Sequence, residues 1–290
     1  MWRVKDLLEW TINYFAGHNI TEPRLEAEVL LASALGLERV GLYVEYDRPA
    51  NEDERAIFRD MVKRRVRGEP SAYITGQKEF MSRPFNVNQS VLIPRPDTEV
   101  LVEECIRLLR ERSGKKVVAD VGTGSGAIAV SLAFYVPETV VYAIDISRPA
   151  LEIANSNAVL NGVDERIFFE EGDLLAPVSF MKFDLIAANL PYIPSDDISE
   201  LQVEVSEYEP KIALDGGLDG LAIYRRLLPA AFTNLKKDGY LLIEIGGEEQ
   251  RIALAALLDQ MNINYYVLSD LGGRERVMVA GKGDICRRSI

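Results

Sequence analysis

An α/β layer fold with a mainly parallel sheet, preceded by a helical segment, is predicted by three features of this 290-residue chain. From Lys116 onwards, apolar strand-like runs alternate with amphipathic helices, the pattern of strands covered on both faces. A glycine-rich turn leads from the first of those runs into a helix, the place where such sheets accept ligands. Before about residue 70 the apolar spacing is helical instead. The length suits two modest domains. With 48% hydrophobic and 27% charged residues and no low-complexity tract, the composition is that of a folded protein.

Taken in order, apolar residues at Leu7, Leu8, Ile12 and Phe15, then at Leu25, Ala27, Leu30, Leu31 and Leu35, predict short helices. Thr21 ahead of Pro23 is the N-cap candidate for the second, and Gly36 its C-cap. A further helix from about Glu52 to Arg67 carries Ile57, Phe58, Met61 and Val62 on one side. Lys63, Arg64, Arg65 and Arg67 near its end complement the helix dipole, with contact to a partner or domain interface as the other reading. After Glu69-Pro70, residues 79–85 and 86–93 read as extended pieces broken at Pro84 and Pro94, a linker with a hairpin. Strand-like runs follow at 117–121, 140–144, 167–170, 183–188, 240–245, 265–268 and 277–280. Only Leu271-Gly272-Gly273-Arg274 lies close between the last two, too short for a crossover helix, so they should pair antiparallel. A terminal hairpin on a parallel sheet points to a methyltransferase-type sheet rather than a dehydrogenase one.

Composition narrows the chemistry. The longest apolar runs, such as Ile252 to Leu258, fall short of the ~20 residues a membrane helix needs. Charged residues interrupt the first 30 positions, unlike a secretory leader, so a cytoplasmic location is expected. Cys105 and Cys286 form neither a disulfide framework nor a zinc spacing and read as free thiols. His18 is the one histidine, which leaves histidine triads and zinc sites without material. The net charge of −12 disfavours nucleic acid as a partner.

The run 117–121 enters Gly122-Thr123-Gly124-Ser125-Gly126, whose glycines allow a tight turn and close approach of a ligand to the backbone at a helix N-terminus. Asp145, ending the next run about 20 residues on, is placed to accept from both hydroxyls of a ribose. A nucleoside cofactor is implied. One residue, not two, separates Gly124 from Gly126, unlike the dinucleotide fingerprint, and Asp120 before the turn suits a cationic ligand end better than pyrophosphate. S-adenosylmethionine therefore fits better. Gly172-Asp173, followed by Leu174, resembles the position where methyltransferases place an acid near the adenine amino group, a solvated turn aspartate being the other reading.

The run 183–188 ends in Asn189-Leu190-Pro191-Tyr192. This resembles the Asn-Pro-Pro-Tyr motif of enzymes that methylate a planar nitrogen in glutamine, adenine or cytosine. Such a nitrogen is a poor nucleophile because its lone pair is delocalised. The Asn189 side-chain oxygen and the Leu190 carbonyl can hold both its hydrogens and direct the lone pair at a methyl carbon, while the Tyr192 ring stacks on the plane. Leu190 replaces the usual proline but keeps the carbonyl. The same form is common in ribosomal RNA adenine dimethylases, so the tetrapeptide alone does not choose the substrate.

The rest of the chain does. Pro23-Arg24, Gly68-Glu69-Pro70-Ser71-Ala72-Tyr73, the string Leu92-Ile93-Pro94-Arg95-Pro96-Asp97-Thr98-Glu99, Tyr208-Glu209-Pro210 and Gly273-Arg274-Glu275-Arg276-Val277 resemble the bacterial peptide chain release factor N(5)-glutamine methyltransferases. The resemblance spans essentially the whole chain. It implies a helical substrate-recognition domain over 1–76, a hairpin linker over 77–93 and a seven-stranded Rossmann-like class I methyltransferase domain over 94–290. It also implies methyl transfer from S-adenosyl-L-methionine, leaving S-adenosyl-L-homocysteine, to the glutamine of the Gly-Gly-Gln motif of class 1 release factors, in support of translation termination. Arg95 and Thr98 are expected beside the cofactor pocket, without a metal. The chain is expected to act as a monomer, with no membrane and no direct nucleic-acid contact. The alternatives are an amino-methyltransferase of ribosomal RNA or other nucleic acid, and a cofactor-binding assembly protein without turnover.

Overall fold

In the computed structural model, which describes residues 2–281, the chain divides into two compact units. Of the described residues, the first comprises those up to Gln77 together with Gln202–Tyr208, and the second comprises Lys78–Leu201 and those from Glu209 onwards. Cys286 lies outside the described residues.

The first unit contains α1 (Val4–Gly17), α2 (Pro23–Leu35), α3 (Arg39–Val44), α4 (Glu52–Val66) and α5 (Ser71–Thr75). Val4, Leu7, Leu8, Thr11 and Phe15 fall on one face of α1 and bury against Leu30, Leu31, Leu42 and Phe58. Gly36 closes α2 in the left-handed conformation expected of it, but the N-cap is Glu22, also left-handed at φ +52°, rather than Thr21. Pro23 fills the first helical position, which needs no N–H donor. An Asn51–Glu54 capping box starts α4, each side chain accepting from the other's backbone at 2.9 Å.

The basic end of α4 does more than complement a dipole. Arg65 is 3% exposed and donates to Glu26 and Glu204 at 2.5 Å each, while Arg64 holds Glu69 at 2.7 and 2.6 Å. Glu204 belongs to a segment the sequence reading left with the later domain. Within the first unit, Gly68 at φ +95° is packed so tightly that a Cβ would stand 2.7 Å from Val203 Cγ1, and the Tyr208 hydroxyl donates to the Arg67 carbonyl at 3.2 Å.

The hairpin is β1 (Gln77–Phe80) and β2 (Arg83–Asn86). Residues 87–93, expected to be extended, form no strand, and Pro84 lies inside β2, where an edge strand tolerates the missing donor. Met81 and Ser82 turn the hairpin with φ of +48° and +54°, a costly geometry for residues with side chains. Glu99 Oε1 accepts from the Met81 N–H at 2.7 Å and the Tyr135 hydroxyl donates to its carbonyl at 2.6 Å. Glu99 thus anchors a turn rather than merely opening a helix.

The remaining elements are α6 (Pro96–Arg110), β3 (Lys116–Val121), α7 (Ala127–Tyr135), β4 (Thr139–Asp145), α8 (Arg148–Leu160), β5 (Ile167–Glu171), β6 (Phe183–Ala188), α9 (Val203–Ser206), α10 (Ala222–Asn234), β7 (Leu235–Glu244), α11 (Glu248–Gln260), β8 (Asn264–Ser269) and β9 (Glu275–Gly281). All seven strand-like runs from Lys116 onwards are strands of one sheet, ordered β5-β4-β3-β6-β7-β9-β8. The first five pair in parallel and β9 runs antiparallel to both β7 and β8.

Alternate residues feed two cores. Val118, Ala143 and Leu185 pack with α6 and α7 on one face, and Ala119, Ile144 and Ile186 with α10 and α11 on the other. Val121 pairs with both Ile144 and Ala188, and Ala188 with Ile243, so the carboxyl ends of β4, β3, β6 and β7 lie side by side. The strand order reverses between β3 and β6, where ligands bind in such sheets. Among the described residues no helix is long and apolar enough to cross a membrane.

Candidate active site

The turn after β3 holds Gly122, Gly124 and Gly126 at φ of +73°, +54° and +78°. The N–H groups of Gly122 and Thr123 donate to the Ile144 carbonyl at 2.8 and 3.0 Å, pinning the turn against β4. Gly124 donates to Asp145 Oδ2 at 2.9 Å, and nothing stands within 4 Å of where its Cβ would be. Asn157, buried on α8, donates to the carbonyls of Ser125 and Asn86 at 2.8 and 3.0 Å, fastening turn to hairpin.

A cleft opens over this turn. Of the residues singled out by sequence, Arg95, Thr98, Gly122, Thr123, Gly124, Ser125, Asp145, Asp173, Leu174, Asn189, Leu190 and Pro191 line it. Asp145 accepts from Ser147 N–H at 2.9 Å through its other oxygen, so both oxygens brace the backbone while each keeps a lone pair. Burial raises its pKa, opposed by those N–H donors. Asp173 is paired with Arg226, and Arg95 reaches both oxygens of the buried Glu209 at 2.7 and 2.8 Å.

Three of the expected residues, Asp120, Gly126 and Tyr192, are not among those lining the cleft. Asp120 is fully buried beneath the turn, where its Oδ2 accepts from the Thr123 hydroxyl at 2.6 Å and the Ala129 N–H at 3.0 Å; it braces the turn instead of lining the cleft. Burial pushes its pKa up to about 7. Gly126 is a packing glycine, since a Cβ there would meet Ala154 Cβ at 3.0 Å, and it too is absent from the lining. Tyr192 packs its ring against Gly246, whose Cβ would stand 2.9 Å from Tyr192 Cδ2, and burial raises its pKa to about 12.

Asn189 Nδ2 donates to Thr98 Oγ1 at 3.1 Å. The Leu190 carbonyl accepts weakly from the Tyr224 hydroxyl at 3.3 Å, that hydroxyl being nearer the Glu244 carbonyl at 2.8 Å. Neither Tyr224 nor Glu244 was picked out from the sequence. A carboxylate inside the apolar run 240–245 was the signal for Glu244. Val91 and Ile93 were also missed; buried on the stretch after the hairpin, they give the cleft an apolar wall.

The residues present fit a nucleoside. Asp145 offers acceptors for hydroxyls, Ile93, Ile144 and Leu174 offer apolar surface for a base, and the open space over Gly124 admits a ligand against the backbone.

Residues 6–76 match the PrmC N-terminal domain family and residues 97–204 the methyltransferase small domain family. The release factor glutamine methyltransferase of Geobacter sulfurreducens is 43% identical over 278 residues, covering 96% of each chain. That of Moorella thermoacetica is 42% identical, covering 96% of this chain and 98% of the relative. Among solved structures, the hMettl16 catalytic domain in complex with MAT2A 3′UTR hairpin 6 aligns with a TM-score of 0.57 at 12% identity, over 81% of this chain and 84% of that one, a likeness of fold alone. The N-terminal domain of human METTL16 in complex with SAH aligns at 0.50 and 16% identity, over 69% of this chain and 76% of that one.

Proposed function

This chain belongs to the release factor glutamine methyltransferase family, and on that premise we propose that the cleft beside β3, β4 and β6 holds S-adenosylmethionine while Asn189 and Leu190 hold the glutamine side-chain amide of a release factor. S-adenosylmethionine supplies an electrophilic methyl group on a sulfonium. Asp145 binds the ribose hydroxyls, and Asp173 lies toward the adenine amino group. Thr123, Gly124 and Ser125 shape the turn against which the ligand lies.

Asn189 Oδ1 and the Leu190 carbonyl accept the two N–H hydrogens of the substrate amide, which fixes its plane and aims the nitrogen lone pair. Tyr192 holds the loop backbone from its seat on Gly246. No side chain has to remove a proton before attack, because the alkylated amide nitrogen is acidic enough to release one to solvent. The substrate is the glutamine of the Gly-Gly-Gln motif in class 1 release factors, the first unit recognises the folded factor, and the enzyme acts as a cytoplasmic monomer.

The observation that carries this reading is the position of Asn189-Leu190-Pro191 in the wall of the cleft that also contains Asp145. Incubation with methyl-labelled S-adenosylmethionine and either a release factor or ribosomal RNA tests it. Label on the glutamine of the factor is expected; label on RNA adenine, or none on either, would replace it with one of the two alternatives.

A further inference from the structure

Resting on the placement of S-adenosylmethionine in the cleft, we propose that Asn157, which does not line the cleft itself, sets the gap between the glycine turn and the apolar wall and so positions the cofactor between them. The two sides come from separate parts of the sequence. Residues 90–95 line the cleft from the stretch after the hairpin and residues 122–125 from the turn after β3, and a ligand held between them needs both at a fixed separation.

Asn157 is fully buried on α8, and both ends of its carboxamide are engaged. Oδ1 accepts from the Asn86 N–H at 2.7 Å, while Nδ2 donates to the Asn86 carbonyl at 3.0 Å and to the Ser125 carbonyl at 2.8 Å. Carbonyls only accept and a backbone N–H only donates, so one orientation of the side chain satisfies all three. Asn157 thus takes both backbone groups of Asn86 as a neighbouring strand would, at the residue where β2 ends. Residues 87–93 form no strand, so the course of the wall starts from that anchor. The same carboxamide holds Ser125, at the far end of the turn. The near end is pinned separately, by the Ile144 carbonyl.

Asn161, one helical turn further along α8, supplies the contrast. Its Oδ1 accepts from Arg83 Nε at 2.9 Å, and its Nδ2 donates to the Pro84 carbonyl at 3.0 Å and the Asn157 carbonyl at 2.9 Å. Asn161 therefore fastens the hairpin to α8 and, among the described residues, makes no hydrogen bond to the turn. Loss of either asparagine leaves buried polar groups unpaired and costs stability. Only loss of Asn157 uncouples the wall from the turn. Asn157 is a positioning residue, since it has no contact to make with the reacting atoms.

The test is the affinity of the full chain for S-adenosylhomocysteine by calorimetry, with melting temperature and KM for an intact release factor alongside. Asn157→Ala weakens that affinity at least about tenfold and leaves KM for the factor within about threefold. Asn161→Ala also melts earlier, but its affinity stays within about threefold of wild type. Hydrogen exchange of the wild type gives a reading that needs no variant: S-adenosylhomocysteine slows exchange of the Asn86 N–H together with the N–H groups of the turn. If Asn157→Ala does not fold, the exchange experiment decides alone. Wild-type affinity in Asn157→Ala, an equal loss in both variants, a KM for the factor that rises as steeply as the affinity falls, or an Asn86 amide that exchanges as before while the turn is protected overturns the proposal. Asp145→Ala separates this from the reading beneath it: if Asp145→Ala loses affinity while Asn157→Ala keeps it, only the clamp fails, and if Asp145→Ala keeps it too, the placement of the cofactor fails.

Discussion

Gly122 lies against Leu190: a Cβ on the glycine would stand 2.8 Å from Leu190 Cδ2 and 3.7 Å from the Asn189 carbonyl oxygen. The glycine turn after β3 and the tetrapeptide after β6 are therefore packed against each other.

Gly122→Ala is expected to damage both halves of the site. The φ of +73° costs a side chain about 1–2 kcal/mol, and the added methyl must displace Leu190. Cofactor affinity and kcat should each fall by about tenfold or more. Calorimetry with single-turnover kinetics checks this, and a normal kcat with normal binding would show the contact to be incidental.

Asp145→Ala should weaken cofactor binding by ~10- to 100-fold, the worth of roughly 1.5–3 kcal/mol of charge-assisted hydrogen bonds. It also frees the Gly124 and Ser147 N–H groups that the carboxylate now holds. Unchanged affinity in a calorimeter would remove Asp145 from the binding site.

The buried acids impose a pH dependence on folding. Asp120, with its pKa raised to about 7 by burial, keeps a proton in the folded chain that the unfolded chain has already lost. Stability therefore falls as pH rises from the ordinary carboxyl range through about 7, and Glu244 acts in the same direction. Asp120→Asn should flatten the decline, leaving the variant about 2 kcal/mol better placed at pH 8 relative to pH 5 than the wild type. Urea unfolding at the two pH values measures it; parallel declines would mean that Asp120 is ionised throughout.

Leu190→Pro should be tolerated. The carbonyl that the chemistry needs is retained, and among the described residues the Leu190 N–H makes no backbone hydrogen bond that proline would remove. The buried leucine side chain is lost, so about 1–2 kcal/mol of stability goes with it, while kcat stays within about threefold. A folded variant that binds cofactor and transfers no methyl group would refute the backbone-carbonyl role.

The strands of the sheet were legible because each is a short apolar run with a long amphipathic stretch between, and the terminal pair because Gly272-Gly273 leaves no room for a crossover. The cleft residues were legible where backbone geometry demands a residue type, as at Gly122 and Gly124. Contacts set by tertiary packing were not. Nothing in the local pattern shows that Asp120 turns inward, that Gly126 makes room for Ala154, or that Tyr192 faces Gly246. Nor does sequence distance suggest that Glu204 lies on Arg65, 139 positions away, in the first unit.

The central claim is that the Asn189 carboxamide holds the reacting nitrogen, and single-turnover methyl transfer from labelled S-adenosylmethionine to a release factor by Asn189→Ala tests it most directly. Removal of one preorganised hydrogen-bonding group should slow the chemical step by roughly 10² to 10³ and leave cofactor affinity within about threefold. A variant that transfers its methyl group at close to the wild-type rate would contradict the account.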